Sequence, residues 1–391
     1  MRGRTVVIAV VAVLCAVALF DFALNGERVI ADFLETLPSG SLWEGRRVAL
    51  DTPHAERSGT LMEDVGEVDA LVLVSDRGDV SVTGVTGDEI RVEYDLTVYA
   101  ETPALAEEYL EDLSVVAVEE EGSLRLRVRE PEVRPPGVLG VEVDYQVSAP
   151  RRLALIVVTR EGSAEVSGFA PKTAVSPQAD VEPYWSTPYL GSPPAPHVLV
   201  SINGGTLRIS DIDGEVRAFI WGQSAVLNDI HGSLSVQSRG ADVKLSRITG
   251  DLWAKVLFED LWLVDITGEV TVEAEMADVR AEGIGGDLDF RVQDGDVSVY
   301  GLRSAARLEV WSGDIEVFLP SGPEGFRLSA VAEEGDVEVR ALPLKVHSRQ
   351  AKEWVSGTLG DGRHSVVLRS LMGGDIILRG DGGFAGDAAS D

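Results

Sequence analysis

An 18-residue pattern repeats without a gap over residues 197–320, and it constrains the fold of this chain more than any other feature. Each block has apolar residues at its second, fourth, sixth, eleventh, thirteenth and sixteenth positions, and nearly every block ends on glycine. The sixteenth position reads Ile212, Ile230, Ile248, Ile266, Ile284 and Leu302. A short fixed period with matching apolar positions is typical of repeat proteins, in which each unit packs only against its neighbours.

The spacing within a block indicates strands. Positions two, four and six alternate as in a strand with one buried face, and positions eleven and thirteen resume the alternation after a turn. Several turns contain Gly-Asp, as at Gly295-Asp296 and Gly313-Asp314, and we expect the closing glycines to supply corners with positive φ. The pattern predicts an all-β fold: a parallel β-solenoid of about 18-residue coils whose neighbouring strands lie roughly 4.8 Å apart.

Residues 1–24 predict an N-terminal membrane anchor or signal sequence. Arg2 and Arg4 precede an apolar run of about 20 residues, which is long enough to span a bilayer. Small-x-small cleavage triplets fall only within that run, which favours an uncleaved transmembrane helix over a cleaved signal peptide. Either reading exports the β-domain, and the first anchors it to the cytoplasmic membrane. The single cysteine, Cys15, lies in the run and cannot form an intrachain disulfide.

The rest of the chain divides by composition. Residues 25–66 predict a juxtamembrane spacer, and residues 67–168 the first part of the β-domain with one short helix at 103–113. Thr102 is the expected N-cap of this helix and Pro103 its first residue, and we expect the helix to cover the end of the solenoid.

Seven prolines in residues 169–196 predict an extended surface insert. Regular coils follow over 197–379. We expect the segment 326–342 to form the next coil after residue 320, the segment 366–379 to form the last coil, and residues 380–391 to be a disordered tail.

The strand and turn pattern resembles a known family. The stretches SDRGDVSVTG (75–84), VDYQVSAPRRLALIVVTREGSAEVSG (143–168) and VSGTLGDGRHSVVLRSLMGGDIILRG (355–380) are similar to the bacterial "putative adhesin" β-strand-repeat family, a domain of unknown function. The resemblance covers residues 65–379. This chain differs from the family pattern in two places: it contains the insert at 169–196, and its segment 161–164 lacks the Gly-Asp turn. The resemblance implies a location in the cell envelope, commonly with an N-terminal anchor.

Charge limits the partners. The chain has 65 acidic and 34 basic residues and a formal net charge of -31. Nucleic acid is therefore excluded as a partner, because its recognition requires a basic face.

Five aspartates share the tenth position of successive blocks: Asp242, Asp260, Asp278, Asp296 and Asp314. Neighbouring carboxylates roughly 4.8 Å apart repel each other, by about 0.9 kcal/mol in water. The favoured hypothesis is that each carboxylate caps backbone N–H groups of its own turn. The alternative is a calcium site between adjacent coils. No other metal ligand set and no cofactor motif is present in the sequence.

A candidate partner-binding patch consists of Trp253, Leu257, Phe258 and Trp262, apolar residues at positions expected to face outward. Such a patch is typical of a contact surface for a protein or a glycan. The alternative is that the 169–196 insert or the helix covers it.

The sequence contains no recognisable catalytic motif. Its five histidines are scattered, and it has no nucleophile elbow, phosphate loop or metal-ligand spacing. We therefore expect a non-enzymatic cell-envelope protein with an adhesin-like binding or scaffolding surface. Two alternatives stay open: a membrane-anchored regulatory module of an envelope-stress system, and a β-helix enzyme acting on glycans.

Overall fold

The computed structural model describes residues 52–120, 122–174, 196–320, 325–349 and 352–380, and every element below belongs to the compact unit His54–Asp391. The structure is nearly all β, with 63% strand and one helix among the described residues. The strands form two large, mostly parallel sheets. The predicted all-β class with a single short helix is confirmed.

The elements fall into three groups along the chain. The first comprises β1 (His54–Asp64), β2 (Ala70–Ser75), β3 (Val80–Val85), β4 (Glu89–Ala100), α1 (Pro103–Asp112), β5 (Ser114–Glu120), β6 (Ser123–Arg129), β7 (Val138–Pro150), β8 (Ala154–Thr159) and β9 (Ala164–Phe169). The second comprises β10 (Val198–Asn203), β11 (Thr206–Ile212), β12 (Val216–Trp221), β13 (Ser224–Ile230), β14 (Leu234–Arg239), β15 (Asp242–Ile248), β16 (Leu252–Leu257), β17 (Leu261–Ile266), β18 (Val270–Glu275), β19 (Val279–Glu282), β20 (Leu288–Gln293), β21 (Val297–Tyr300), β22 (Ala306–Val310) and β23 (Ile315–Leu319). The third comprises β24 (Phe326–Ala332), β25 (Val337–Arg340), β26 (Val346–Arg349), β27 (Lys352–Leu359), β28 (His364–Ser370) and β29 (Ile376–Gly380).

From β7 to β26, consecutive strands alternate between the two sheets. Sheet A has the order β1-β4-β7-β3-β9-β11-β13-β15-β17-β19-β21-β23-β29-β25, and sheet B has the order β26-β27-β24-β28-β22-β20-β18-β16-β14-β12-β10-β8-β2-β6-β5. In the repeat region Val198 lies opposite Val216, and Leu207 lies opposite Ala225. Each partner is therefore one 18-residue repeat away, and this parallel register continues to β23.

The apolar positions of the repeat form the core between the sheets. Val198, Val200 and Ile202 point inward from one strand and are buried, as are their equivalents in the following coils. The isoleucines of the sixteenth position fill a corner and are fully buried at Ile212, Ile230, Ile248 and Ile266.

The closing glycines have a different role from the one predicted. Gly232, Gly250, Gly268 and Gly286 do not have positive φ; the left-handed residue lies three positions earlier, as at Asp229 (φ 54°) and Arg247 (φ 54°). A Cβ on Gly268 would lie 2.3 Å from the carbonyl oxygen of Gly250. Glycine is required because backbones of adjacent coils approach closely at this corner.

The order of coils at the C-terminal end differs from the order along the chain. β28 lies between β22 and β24, and β29 lies between β23 and β25. The coil expected to be last is therefore next to last, and the predicted direct succession of 326–342 after residue 320 is wrong. β27 then pairs antiparallel with β24, and β26 pairs with β27.

At the N-terminal end, too, the order of strands in the sheets differs from their order along the chain. β6 and β7 lie outside β2 and β3, although they follow them in the chain. Antiparallel strands cover this outer coil: β5 on β6 in sheet B, and β4 followed by β1 in sheet A. β1 falls within residues 25–66, where only a spacer was expected.

The helix α1 packs at this same end. Thr102 caps it, accepting a 3.3 Å hydrogen bond from the Leu105 amide through its side chain. Ala106, Tyr109 and Leu110 are buried in the common core, and the helix contacts β1 and β4. The helix thus helps to cover the end of the sheets, as predicted.

Three predicted segments lie wholly or mainly outside the described residues: the anchor at 1–24, the insert at 169–196, of which 175–195 are not described, and the tail from residue 381. Within the described residues, none of the helical structure has both the length and the apolar character of a membrane-spanning helix. Phe169, the first residue of the predicted insert, is the buried last residue of β9.

Candidate functional site

The aspartate row lies along one corner of the stack and joins successive coils. Asp278 Oδ1 accepts a hydrogen bond from the Asp296 amide, and Asp296 Oδ1 accepts one from the Asp314 amide, both at 2.8 Å. Asp260 accepts in the same way from the Asp278 amide at 3.2 Å. The carboxylates cap amides, but those of the next coil and not of their own turn as predicted.

The row extends further than the repeat at both ends. Asp314 accepts from the Asp375 amide at 2.8 Å, and Asp375 accepts from the Asp336 amide at 2.9 Å, in agreement with the exchanged coil order. At the other end Asp79 accepts from the Ser163 amide, so Ser163 takes the place of the missing Gly-Asp turn.

A second row of caps was not predicted. His197 Nδ1 accepts from the Glu215 amide at 3.0 Å, and Asp251 Oδ1 accepts from the Glu269 amide at 3.0 Å. These residues occupy the first position of their blocks, where polar side chains recur in the sequence. The signal for this row in the sequence is therefore the polar residue that follows the closing glycine in most blocks.

The described residues contain no group of three or more His, Cys, Asp or Glu side chains arranged to hold a metal ion. In the aspartate row one carboxylate oxygen of each residue from Asp260 to Asp314 is already bonded to an amide. Calcium binding by Asp242, Asp260, Asp278, Asp296 and Asp314 stays an untested alternative.

The candidate aromatic patch is divided by the fold. Trp253 points outward from β16 in sheet B, whereas Trp262 points outward from β17 in sheet A. Trp253 lines a cavity of about 210 Å³ together with Pro196. Leu257 and Phe258 lie at the corner where the chain leaves sheet B.

That corner carries a row of exposed apolar side chains, which we call the apolar corner: Phe258, Met276, Trp311 and Met372. They are 42%, 47%, 53% and 52% exposed and follow the ends of β16, β18, β22 and β28. These strands belong to five successive coils of sheet B that also include β20, so the row is roughly 19 Å long.

Two residues of the apolar corner have a strained backbone. Phe258 has φ 79° and Met276 has φ 52°, in the left-handed region that L-residues with side chains avoid. Earlier coils use glycine at this position, as at Gly204 and Gly240. Exposure and backbone strain therefore coincide at Phe258 and Met276, and neither feature stabilises the fold.

The side chains next to the apolar corner include charged residues. The Arg239 guanidinium carbon lies 5.5 Å from the ring centroids of both Trp221 and Phe258, at cation–π distance.

A groove of about 280 Å³ runs beside Trp311. Its floor includes the register-matched series Lys255, Glu273, Arg291, Glu309, and Arg369 continues the alternation of charge. Lys255 and Glu273 form an ion pair of 3.9 Å across coils. Arg291 pairs with Asp289, and Glu309 pairs with Arg307, each within its own strand.

No protein-family model matches the sequence, and no curated protein matches it. Among solved structures, a "putative cell adhesion protein" from Clostridium sporogenes is 10% identical and covers 83% of this chain and 100% of its own, with a TM-score of 0.18. A "putative lipid binding protein" from Parabacteroides distasonis is 13% identical and covers 82% and 96%, with a TM-score of 0.28. A "putative adhesin" from Bacteroides fragilis is 11% identical and covers 82% and 97%, with a TM-score of 0.24.

The structures that this chain resembles are thus mainly described as adhesins or cell-adhesion proteins from Bacteroidetes and Clostridia, as is the family that the sequence resembles.

Proposed function

We propose that this chain is a non-enzymatic cell-envelope protein whose parallel β-solenoid presents the apolar corner to a protein partner. It acts as an adhesin-like binding or scaffolding surface. Residues 1–24 anchor it to the cytoplasmic membrane, with the β-domain outside the cytoplasm; this part of the proposal rests on the apolar run and its preceding arginines.

The main observation behind this proposal is that Phe258 and Met276 combine a strained backbone with an exposed apolar side chain. A left-handed backbone costs about 1 kcal/mol relative to glycine, and exposed apolar side chains gain nothing from folding. Strained residues that persist on a surface support a binding role.

The chemistry of the row favours a protein over other ligands. Methionine, aromatic and arginine side chains are enriched in protein–protein interfaces, and this corner combines Phe258, Met276, Trp311 and Met372 with the nearby Arg239. The charged residues of the adjacent groove are already in ion pairs, which leaves the apolar side chains as the main attraction.

The test is affinity capture from envelope fractions with full-length protein. The variant Phe258→Ser/Met276→Ser/Trp311→Ser should lose a partner that wild type retains, and the partner should rebind when purified. A matched control is Val133→Ser/Leu139→Ser, which alters two apolar residues that are exposed elsewhere, 77% and 38%. Equal capture by the triple variant would contradict the proposal, and capture of polysaccharide alone would replace the protein partner with a glycan.

A further inference from the structure

A cleft of about 240 Å³ opens at the N-terminal end, where the outer coil is incomplete. β6 pairs with β2 only from Ser123 to Leu126 and then separates from it. β7 begins after a long connection and runs beside the turn between β2 and β3, with the Val143 amide bonded to the Arg77 carbonyl. The cleft lies between these diverging strands and is separate from the apolar corner.

Tyr145 lines the cleft with a hydroxyl group that has no hydrogen-bond partner among the described residues. The side chain is 2% exposed, so water outside the protein does not solvate this hydroxyl freely. A tyrosine hydroxyl is protonated at neutral pH and can donate a hydrogen bond, and burial raises the pKa of Tyr145 further. A buried donor without an acceptor is unfavourable, and few native structures retain one without a ligand or ordered water.

Three arginines, Arg77, Arg125 and Arg127, line the same cleft, although the chain as a whole is strongly acidic. Arg127 is 52% exposed at its side chain and forms an ion pair of 3.7 Å with Glu120, a distance at which its N–H groups are not used in a hydrogen bond to that carboxylate. Its planar guanidinium can therefore bind a carboxylate through two parallel hydrogen bonds.

The two carboxylates in the lining are already paired with arginines outside it. Asp76 forms an ion pair of 2.6 Å with Arg160, and Glu130 forms one of 2.9 Å with Arg134. They oppose an incoming anion less than unpaired carboxylates would.

The remaining wall is apolar and consists mainly of Val74, Val128, Val141 and Val143. We propose that this cleft binds a small ligand that carries a carboxylate on a short apolar body, with Tyr145 and Arg127 as donors to the carboxylate oxygens. The cleft is smaller than the roughly 300–1,000 Å³ of pockets for drug-sized ligands, which limits the ligand to a few carbon atoms beyond the carboxylate.

The experiment titrates full-length protein with hexanoate, glucuronate and acetyl-alanyl-alanine up to about 10 mM, with calorimetric and thermal-shift detection. Hexanol and inorganic phosphate are the comparison ligands. At least one carboxylate should bind, hexanol should not, and Tyr145→Phe and Arg127→Gln should each weaken binding about tenfold. The three carboxylates distinguish a fatty acid, a sugar acid and a peptide C-terminus as sources.

Matched controls are Tyr99→Phe, whose hydroxyl is bonded to Glu142 outside the cleft, and Arg91→Gln, an arginine 58% exposed on β4. Both should bind as wild type does. The proposal is overturned if no carboxylate binds, if hexanol or phosphate alone binds, or if Tyr145→Phe retains full affinity. A rise in melting temperature of Tyr145→Phe without carboxylate binding would show that the hydroxyl is only an unsatisfied core group.

Discussion

Asp296 Oδ1 accepts a 2.8 Å hydrogen bond from the backbone amide of Asp314, which lies one repeat further along the chain. Asp314 in turn accepts from Asp375, 61 residues further on. Because the bond joins spatially adjacent coils whatever their distance in sequence, the aspartate row records the true order of the stack.

The first prediction concerns Asp278 in the middle of that row. Asp278→Ala removes the acceptor for the Asp296 amide and should lower the free energy of unfolding by about 1 kcal/mol, whereas Asp278→Asn keeps an oxygen acceptor and should cost less. Urea unfolding measures both. Glu282→Ala, an exposed change on β19, is the control. Melting with chelator and with millimolar calcium should agree closely; a large calcium shift abolished by Asp278→Asn would instead assign the row to metal binding.

Met276→Gly should separate stability from binding. Glycine relieves the left-handed strain at φ 52°, so the variant should be more stable by about 1 kcal/mol while it loses affinity for the protein partner. Phe258→Gly should gain less, because it also removes the contact with Arg239. Thermal unfolding and the capture experiment give the two measurements. A variant with unchanged affinity would exclude Met276 from the binding surface.

Replacement by alanine should destabilise the protein much more at Gly268 than at Gly240. Gly268→Ala places a Cβ 2.3 Å from the Gly250 carbonyl oxygen and should cost more than about 3 kcal/mol, because both atoms belong to stacked backbones. Gly240→Ala has open space around its Cβ and only the strain of φ 69°, about 1 kcal/mol. Chemical denaturation of both variants checks this order, and similar losses would argue against close stacking at the closing glycines.

Removing residues 363–391 should damage the fold far more than the loss of a terminal coil. The deletion takes away β28 and β29, which pair with strands on both sides, and leaves β22 and β24 without their common partner. We expect a loss of more than about 3 kcal/mol and rapid proteolysis of 325–359. Removing only residues 381–391 is the control. If both truncations unfold alike, β28 does not lie inside the sheet.

Asp361 should make the C-terminal end sensitive to acid. Hydrogen bonds from the Arg363 amide at 3.1 Å and the Gly325 amide at 3.0 Å favour its charged form, and they lower the pKa of this carboxyl below its usual value. Its contribution to stability is therefore complete above the unfolded-state pKa of about 3.9 and is lost as pH falls through the lower folded-state pKa. Asp361→Asn should flatten the fall in stability below about pH 4, and Glu107→Gln on the surface of α1 should not.

The sequence by itself determined the local structure of this protein. The alternation at Val198, Val200 and Ile202 specified strands with one buried face, and the 18-residue period specified which residues lie opposite one another over 198–317. Thr102 and Pro103 specified the start of the only described helix. These features could be predicted because burial of side chains leaves a periodic record in the sequence.

Only the tertiary structure decided the order of the end coils, the acceptor roles of the aspartates and the residues that share a surface. Strands of similar apolar pattern pair through backbone groups that are the same in every residue, so the sequence cannot show that β28 separates β22 from β24. For the same reason the sequence alone places Trp253 and Trp262 in one patch, although the two residues lie in different sheets. The Tyr145 cleft exists because β6 diverges from β2, and that divergence depends on contacts between distant segments that no local pattern encodes.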